Sequence, residues 1–425
     1  MSPNSSARNA FSSANPHALS AILEASETRS IIAATDIFDI SGIKLWAASQ
    51  PVSAALQRKL LDRKLREPLE SCLIAEDGVT SLTLVQSLQA LVESASPLAA
   101  VVWPHAARLE REVSRLPLHP VVQLLLTAGQ AARPQSFDHA VAAMALNGAL
   151  MCSAGGDTPE IRLAMLCGLL HDLGEMYIDP RHGEAEAERE LDFVSYQQLV
   201  VHPHIGRLLV SQLTSYPATV ARALAEHHEL LDGSGYPFAL TGDAMSPLGR
   251  LLAVTEASLN AMRSEGDHLM HASVALRAVP GEFDMNWVGK LSQVANQQPP
   301  LQPVMERADV QARLAALDEV LHMADANVGL ALRQARLHEV KHALELAQFL
   351  LGRLRKGWNE SGMWNPHAIA GADAAEVEAV ENELYARLRG VQRATLLRAG
   401  QLPLEDASGL NALCESLAMG GVGSA

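Results

Sequence analysis

The sequence contains few aromatic residues and few cysteines, although hydrophobic residues are abundant. Aromatic residues make up 4% of the 425 positions and hydrophobic residues 48%. Alanine and leucine supply most of the apolar positions, and this mixture favours helices because both residues lose little side-chain freedom there. The four cysteines are scattered and form no C-x-x-C pair. We therefore expect buried, reduced thiols rather than a structural zinc site or a disulfide framework.

The sequence also lacks an excess of positive charge and any long apolar run. Its formal net charge is −15 and its pI is about 5.5, so no basic surface indicates a nucleic acid polymer or an anionic membrane as a partner. No run reaches the roughly 18 apolar residues of a membrane span, and the N-terminus has no signal-peptide core. We expect a cytoplasmic protein. A free nucleotide stays compatible with this charge, because a metal site supplies positive charge locally.

The length of the chain predicts two or three domains, since 425 residues exceed what one hydrophobic core organises. Residues 1–18 are rich in Ser, Asn and Ala, which predicts a disordered tail. Residues 19–115 are expected to form a small α+β accessory module. Its strand signal runs from Thr35 to Ala47, where apolar and polar positions alternate about Ser41-Gly42 as in a hairpin.

Helical patterns dominate the rest of the chain. Residues 120–264 contain four or five such patterns, separated by Gly, Pro and Asp. Residues 304–425 carry leucines at helical spacing and predict an antiparallel bundle, with a second helix pair over roughly 373–398. The predicted fold class is therefore mainly α, with an all-helical core, an N-terminal α+β module and a C-terminal helical bundle.

Histidines and acidic residues recur in the core segment at the spacing of a two-metal hydrolytic site. His171-Asp172 ends the most apolar helical pattern, a lone His202 follows, and His227-His228 come next. Neutral imidazoles with a carboxylate suit manganese, iron, nickel or zinc. Two such cations about 3.5–4 Å apart can hold a bridging hydroxide that attacks phosphorus. The pattern predicts metal-assisted hydrolysis of a phosphate ester.

These motifs resemble those of the HD-GYP subfamily of HD metal-dependent phosphohydrolases over about residues 135–262. The naming motifs are present as His171-Asp172 and Gly235-Tyr236-Pro237, and His202-Pro203 lies between them. The resemblance implies an all-helical phosphohydrolase domain over residues 120–295. It also implies hydrolysis of cyclic di-GMP, to a linear dinucleotide or to GMP, by a hydroxide that bridges two iron or manganese ions.

The resemblance assigns a role to each matching position. The first metal is expected to be held by His139, His171, Asp172 and Glu256. The second metal is expected to be held by Asp172, as a bridge, with His202, His227 and His228. The candidate catalytic residues are Asp172 and His171. The candidate substrate-binding residues are Asp232, Gly233, Gly235, Tyr236, Pro237 and Glu175.

The sequence departs from the family pattern at several of these positions. Family members usually carry Lys where this chain has Glu175, Arg where it has Leu230, and Asp where it has Glu256. The Lys contacts substrate phosphate, and one such contact is worth roughly 3 kcal/mol at about 5 Å and an effective dielectric of about 20. Trinuclear members carry Glu where this chain has Gln135, so the resemblance favours a binuclear site.

Three functions remain open from the sequence. The first is a cyclic di-GMP phosphodiesterase. The second, motivated by Glu175 and Leu230, is a degenerate member that binds a nucleotide or a protein without turnover. The third is a hydrolase of another nucleotide, since fold-level analogy does not fix a substrate. For the flanking modules we expect a role in homo-oligomerisation or in binding a protein partner.

Overall fold

The computed structural model describes residues 10–182, 197–265, 268–362, 374–399, 402 and 408–418. Helices dominate these residues and strands are short and few, so the predicted mainly α fold with a small N-terminal α+β part is confirmed. The chain divides into two compact units. Among the described residues, those from 10 to 182 and from 198 to 259 form the first unit, and Gln197 and those from 260 onwards form the second.

The elements follow one another with short connections. The strands are β1 (Ile31–Ala33), β2 (Ile37–Phe38), β3 (Lys44–Trp46) and β4 (Leu73–Ala75). The helices up to the unit boundary are α1 (Pro16–Ser26), α2 (Ala54–Leu60), α3 (Leu69–Cys72), α4 (Ser81–Glu93), α5 (Leu98–Val102), α6 (Ala106–Val113), α7 (Pro120–Ala132), α8 (Pro134–Ser153), α9 (Thr158–Leu170), α10 (His202–Leu213), α11 (Ala218–Glu226) and α12 (Pro247–Glu265). The helices beyond it are α13 (Leu269–Ala275), α14 (Met285–Ala295), α15 (Arg307–Gln334), α16 (His338–Ser361), α17 (Ala374–Ala399) and α18 (Ser408–Ala418).

The N-terminal strands form two separate antiparallel pairs. The predicted hairpin is confirmed, since Ile37 in β2 pairs with Trp46 in β3 and Phe38 pairs with Lys44. The second pair joins β1 to β4, with Ile32 opposite Ile74. The sequence did not indicate this pairing, because each strand is only three residues long and the two lie far apart in the chain.

The first helix begins inside the segment predicted to be a disordered tail. The side chain of Asn15 accepts hydrogen bonds from the backbone N–H groups of His17 and Ala18 at 2.9 and 3.1 Å. This cap and a proline at the first helical position stabilise the helix start. The prediction therefore differs from the structure over residues 16–18, whereas residues 1–9 lie outside the described part of the chain.

Helices α8 and α9 pack closely in the core of the first unit. A side chain at Gly168 of α9 would collide with the backbone of Ala143 in α8, so glycine allows the two helices to approach. Residues from Ala164 to Leu170 are buried on every side of α9, as expected for a helix that is apolar all round. This rigid pair leads directly into His171.

The second unit is a helical bundle with an apolar core. Leu314, Leu317 and Leu321 of α15 are buried with Leu344, Leu351 and Leu354 of α16. The predicted second helix pair over 373–398 is wrong, because one helix runs from Ala374 to Ala399. This helix passes through Gly390 without a break, since glycine inside a helix costs only about 1 kcal/mol relative to alanine.

Two further observations complete the description of the fold. None of the described helices is both long enough and apolar enough to span a membrane. The four cysteines are buried with free thiols, as predicted, and they are Cys72, Cys152, Cys167 and Cys414.

Candidate metal centre

Three candidate ligands lie at helix ends, where backbone carbonyl groups fix their rings. Nδ1 of His171 lies 2.7 Å from the carbonyl oxygen of Gly168, in the last turn of α9. Nδ1 of His227 lies 2.6 Å from the carbonyl oxygen of Leu224, in the last turn of α11. Carbonyl groups in the last turn of a helix lack an intrahelical partner and can only accept. Each Nδ1 therefore carries the proton and donates it.

The third histidine is held in the same way. Nδ1 of His202 lies 2.7 Å from the carbonyl oxygen of Leu199, which precedes α10. With the proton of a neutral ring on Nδ1, the lone pair lies on Nε2. A backbone carbonyl that accepts from the opposite ring nitrogen is the usual support of a metal-binding histidine. All three rings thus present Nε2 as a ligand atom.

The first group of ligand atoms surrounds Glu256 on α12. Oε2 of Glu256 lies 3.0 Å from Nε2 of His139 and 3.0 Å from Nε2 of His171. Oδ2 of Asp172 lies 3.0 Å from Nε2 of His171 and 3.5 Å from Nε2 of His139. Two imidazoles and two carboxylates thus converge from helices α8 and α12 and from the two residues that follow α9.

The second group uses the other oxygen of Asp172. Oδ1 lies 3.4 Å from Nε2 of His202 and 3.4 Å from Nε2 of His227, and those two nitrogens lie 3.0 Å apart. His228 offers a further ring nitrogen to the same group. Within the described residues, Oδ1 of Asp172 is buried and makes no hydrogen bond.

The donor set fits two divalent cations. Each group offers four ligand atoms that lie within 4.8 Å of one another, and Asp172 belongs to both groups. Facing lone pairs at about 3 Å repel one another unless a proton or a cation lies between them. Imidazole and carboxylate together are the donors that manganese, iron and zinc take in proteins. The structure therefore brings together all seven residues that the sequence predicted as metal ligands.

The buried groups of the free site shift one another's pKa. Burial lowers the pKa of His171, but Asp172 and Glu256 outweigh burial and raise it well above that of a free imidazole. Burial raises the pKa of Asp172, but His171 and the other facing histidines outweigh burial and hold it well below its usual range. Burial and His139 act in the same opposed way on Glu256, and the pKa of Glu256 also lies well below its usual range. Burial, together with the charges of His227 and His202, holds the pKa of His228 well below that of a free imidazole.

A buried amide ties together the helices that carry the first group. Nδ2 of Asn147 on α8 donates to the carbonyl oxygen of Ala164 on α9 at 3.0 Å. Oδ1 of Asn147 accepts from the hydroxyl of Thr255 on α12 at 2.6 Å. Thr255 directly precedes Glu256, so this network fixes the ligand-bearing turn of α12. Sequence reasoning missed Asn147, because an asparagine within an apolar helical pattern carries no metal-site signal.

The predicted substrate loop packs against the second group. The ring of Tyr236 stacks on the ring of His228, with centroids 4.6 Å apart and an angle of 16° between the planes. The backbone N–H of Tyr236 donates to the carbonyl oxygen of His228 at 3.0 Å. A side chain at Gly235 would collide with the backbone of Glu229 and Leu230, so this glycine allows the loop to approach its own chain.

Hydrogen bonds and a β-bridge of Asp232 hold the two ends of the rest of the loop together. Oδ1 of Asp232 accepts from the backbone N–H and the hydroxyl of Ser234 at 3.0 and 2.6 Å. Asp232 also forms a β-bridge with Thr241. Gly233 has φ of +85°, a backbone conformation that favours glycine. Pro237 follows Tyr236 after a cis peptide bond.

Glu175 lies three residues after Asp172, in the 3-10 helix Leu173–Tyr177, and its side chain is buried. The guanidinium of Arg133 donates to the backbone carbonyl of Glu175 at 2.8 Å. Burial lowers the pKa of Arg133, and the charge of Glu175 raises it in part. Arg181, one of the cations near this segment, is paired with Asp179 at 2.6 Å. No sequence signal had indicated Arg133.

Comparisons with known proteins agree with this geometry. The family model described as HD domain matches residues 125–280. A cyclic di-GMP phosphodiesterase of Pseudomonas aeruginosa is 28% identical over 219 residues, which are 51% of this chain and 50% of that protein. The cyclic di-GMP phosphodiesterase response regulator RpfG of Xanthomonas campestris pv. campestris is 32% identical over 98 residues, 23% of this chain and 25% of that protein.

A third relative has a different named substrate. A 3′3′-cGAMP-specific phosphodiesterase of Vibrio cholerae is 28% identical over 88 residues, 21% of this chain and 18% of that protein. The chain thus spans half the length of the Pseudomonas protein and smaller parts of the other two. No solved structure gives a significant match. The resemblance to HD-GYP proteins is confirmed at the level of the HD domain and its homology to these phosphodiesterases.

Proposed function

We propose that this protein, which carries an HD domain of the HD-GYP type, is a metal-dependent phosphodiesterase that hydrolyses cyclic di-GMP. The observation that carries the proposal is the position of Asp172. Its two carboxylate oxygens face two different groups of ligand atoms, so one side chain links two cation sites. A linked pair of cation sites is the arrangement by which many phosphatases and nucleases hydrolyse phosphate esters.

The residues of the two groups would hold the cations in a fixed relation. Divalent cations bound there would activate water and stabilise the charge that develops on the phosphoryl oxygens. His171, His202 and His227 cannot switch tautomer without losing the hydrogen bond from Nδ1 to a backbone carbonyl. The ring nitrogens therefore stay aimed at the cations while the substrate is bound and released.

The charge of the site suits an anionic substrate. Two divalent cations bring about four positive charges, whereas Asp172 and Glu256 bring one negative charge each. A positive surplus would thus face the phosphodiester, although Glu175 reduces it. Tyr236, stacked on His228, places an aromatic side chain and the glycine-containing loop beside the second group. We assign substrate contact to this loop and to the segment that contains Glu175.

We further propose that the metal is iron or manganese. Mixed imidazole and carboxylate ligands suit iron or manganese, and the resemblance to HD-GYP proteins favours the same two metals. The comparison with HD phosphohydrolases and the two groups of donors support divalent metal binding itself. The cytoplasmic location and the homo-oligomer or protein partner remain predictions.

The decisive experiment measures metal content and cyclic di-GMP turnover on anaerobically purified protein. We expect two metals per chain in the wild type. Asp172→Ala removes a ligand from both groups, so we expect it to lose metal and to lower turnover about 10³-fold or more, equivalent to roughly 4 kcal/mol. Asp243→Ala is the matched control, because Asp243 is an exposed aspartate paired with Arg250 outside the two groups. Stable cyclic di-GMP in the presence of metal-loaded wild type would refute the proposal.

A second candidate function is a receptor that binds metal and nucleotide without turnover. Glu175 favours it, because this chain has a buried carboxylate three residues after Asp172, where family members carry a lysine that contacts phosphate. Metal content without turnover in the wild type would support this reading. Glu175→Lys would then restore turnover if that one charge silences the site. The substrate is tested on the same preparations by comparing cyclic di-GMP with 3′3′-cGAMP and with linear dinucleotides.

A further inference from the structure

Two buried carboxylates flank the paired histidines of the second group. Glu226 directly precedes His227, and Glu229 directly follows His228. Glu226 is 3% exposed and Glu229 is fully buried. A buried carboxylate is costly unless hydrogen bonds compensate it. The partners of these two side chains therefore show what each carboxylate holds in place.

Glu229 binds the backbone of the substrate loop. Its Oε1 accepts from the N–H of Phe238 at 2.6 Å, and its Oε2 accepts from the N–H of Leu240 at 2.8 Å. Hydrogen bonds from backbone amides to a charged acceptor are about twice as strong as neutral ones. One side chain thus restrains the backbone on both sides of Ala239.

The backbone of this segment has the shape of an anion-binding nest. Ala239 has φ of +53°, in the left-handed region that residues with a Cβ rarely adopt. Successive N–H groups on either side of a left-handed residue point into one concavity and bind an anion there. The chain fills this concavity with its own carboxylate. Strained backbone persists only where the surroundings hold it, and here Glu229 supplies that support.

Glu226 binds a different segment. Its Oε2 accepts from the N–H and the hydroxyl of Ser246 at 2.8 and 2.5 Å, and its Oε1 accepts from Arg222 at 2.7 Å. Ser246 directly precedes α12. Glu226 therefore fixes the start of a helix, and among the described residues its hydrogen bonds go to Arg222 and Ser246 rather than to the loop that contains Tyr236. The two carboxylates are alike in burial and in sequence position, but they anchor different parts of the unit.

We infer that Glu229 is a positioning residue for the substrate, because its carboxylate holds the loop from Tyr236 to Leu240 against the second group of ligands. This inference rests on the proposed function and extends it to a residue that does not touch the cations. Loss of the carboxylate would leave the ligands in place and allow the loop to leave its bound conformation. Substrate affinity falls in proportion to the fraction of molecules with an ordered loop.

The test compares Glu229→Gln with Glu226→Gln on metal-loaded, full-length protein. We expect Glu229→Gln to raise KM for cyclic di-GMP roughly tenfold, as when about one molecule in ten has an ordered loop. Its kcat and metal content are expected to stay within about twofold of the wild type, since the ligands are untouched. Glu226→Gln lowers the thermal midpoint instead and leaves KM unchanged. Glu229→Asp keeps the charge and is expected to recover part of the loss in KM.

A second readout is independent of turnover. Hydrogen exchange of the amides from Tyr236 to Leu240 is expected to speed up at least tenfold in Glu229→Gln and to stay unchanged in Glu226→Gln. If the wild type shows no turnover, the proposed function fails, and the Kd for cyclic di-GMP replaces KM in the comparison. The inference is overturned if exchange at the loop is unchanged, if Glu229→Gln keeps the wild-type KM or Kd, or if both variants raise it equally.

Discussion

The carboxylates of the metal centre in the first unit and those of the bundle in the second unit are buried for different purposes. In the first unit, Asp172 and Glu256 face imidazoles, in groups of four ligand atoms that fit cations. In the second unit, Glu282 and Glu383 face the guanidinium of Arg387 beside an apolar core. An arginine cannot release its charge near neutral pH, so it satisfies a carboxylate permanently. Imidazoles instead can release a proton near neutral pH, so the carboxylates that face them stay available to a metal.

This difference shows how a buried carboxylate of a metal site can be distinguished from one that stabilises the fold. Burial alone does not distinguish the units, because Glu256 and Glu282 are 1% and 4% exposed. The side chain that faces each carboxylate distinguishes Glu256 from Glu282. A buried carboxylate that faces fixed imidazole lone pairs is incomplete without a cation, whereas one that faces arginine is complete and serves the fold. Substitutions that change stability without changing metal content, or the reverse, test this comparison.

The largest effect on stability is expected from Arg387→Ala in the second unit. The guanidinium lies 3.0 Å from Oε2 of Glu282 and 2.6 Å from Oε1 of Glu383. Its loss would remove a cation that faces two buried carboxylates, which costs about 3–5 kcal/mol. Denaturant unfolding of the bundle, followed by circular dichroism, measures this loss. Metal content is expected to stay at the wild-type value, and a variant that loses metal as well would break the proposed division between the units.

The sequence predicted only some of these features of the site and the fold. All seven predicted ligands lie together in the structure, because metal chemistry restricts residue types and their spacing, and a resemblance makes those restrictions visible. Glu229 escaped notice because its role depends on backbone amides nine and eleven positions later, which no side-chain motif reports. The pairing of Ile32 with Ile74 escaped for a related reason, since three-residue strands give no periodic signal.

A smaller effect is expected from Leu317→Ala, which tests the apolar part of the bundle. Leu317 of α15 is fully buried among the leucines of the second unit. Its truncation removes buried methyl groups and leaves a cavity, which costs about 3 kcal/mol. Leu330→Ala is the control on the same helix, because Leu330 is 49% exposed. We expect the control to change stability by less than about 1 kcal/mol. Equal losses from both variants would contradict the assigned packing.

The smallest effect is expected from Glu70→Gln, which tests a buried carboxyl of the first unit that faces neither a cation site nor an arginine. Oε1 of Glu70 accepts a hydrogen bond from the hydroxyl of Tyr177 at 2.5 Å. Burial raises the pKa of Glu70, although the bond from Tyr177 lowers it in part. A raised carboxyl pKa in the folded state means that stability is fully present below the usual pKa of 4.5 and is lost as pH rises through the folded value.

Glutamine keeps the acceptor for Tyr177 without the charge. Thermal unfolding is therefore expected to match the wild type near pH 4 and to favour the variant near pH 8, by no more than about 2 kcal/mol. Tyr177→Phe removes the compensating donor, so its loss of stability is expected to grow over the same pH range. If Glu70→Gln were instead less stable at every pH, the carboxylate would stabilise the first unit as Glu282 stabilises the second, and the contrast between the two units would reduce to the metal centre alone.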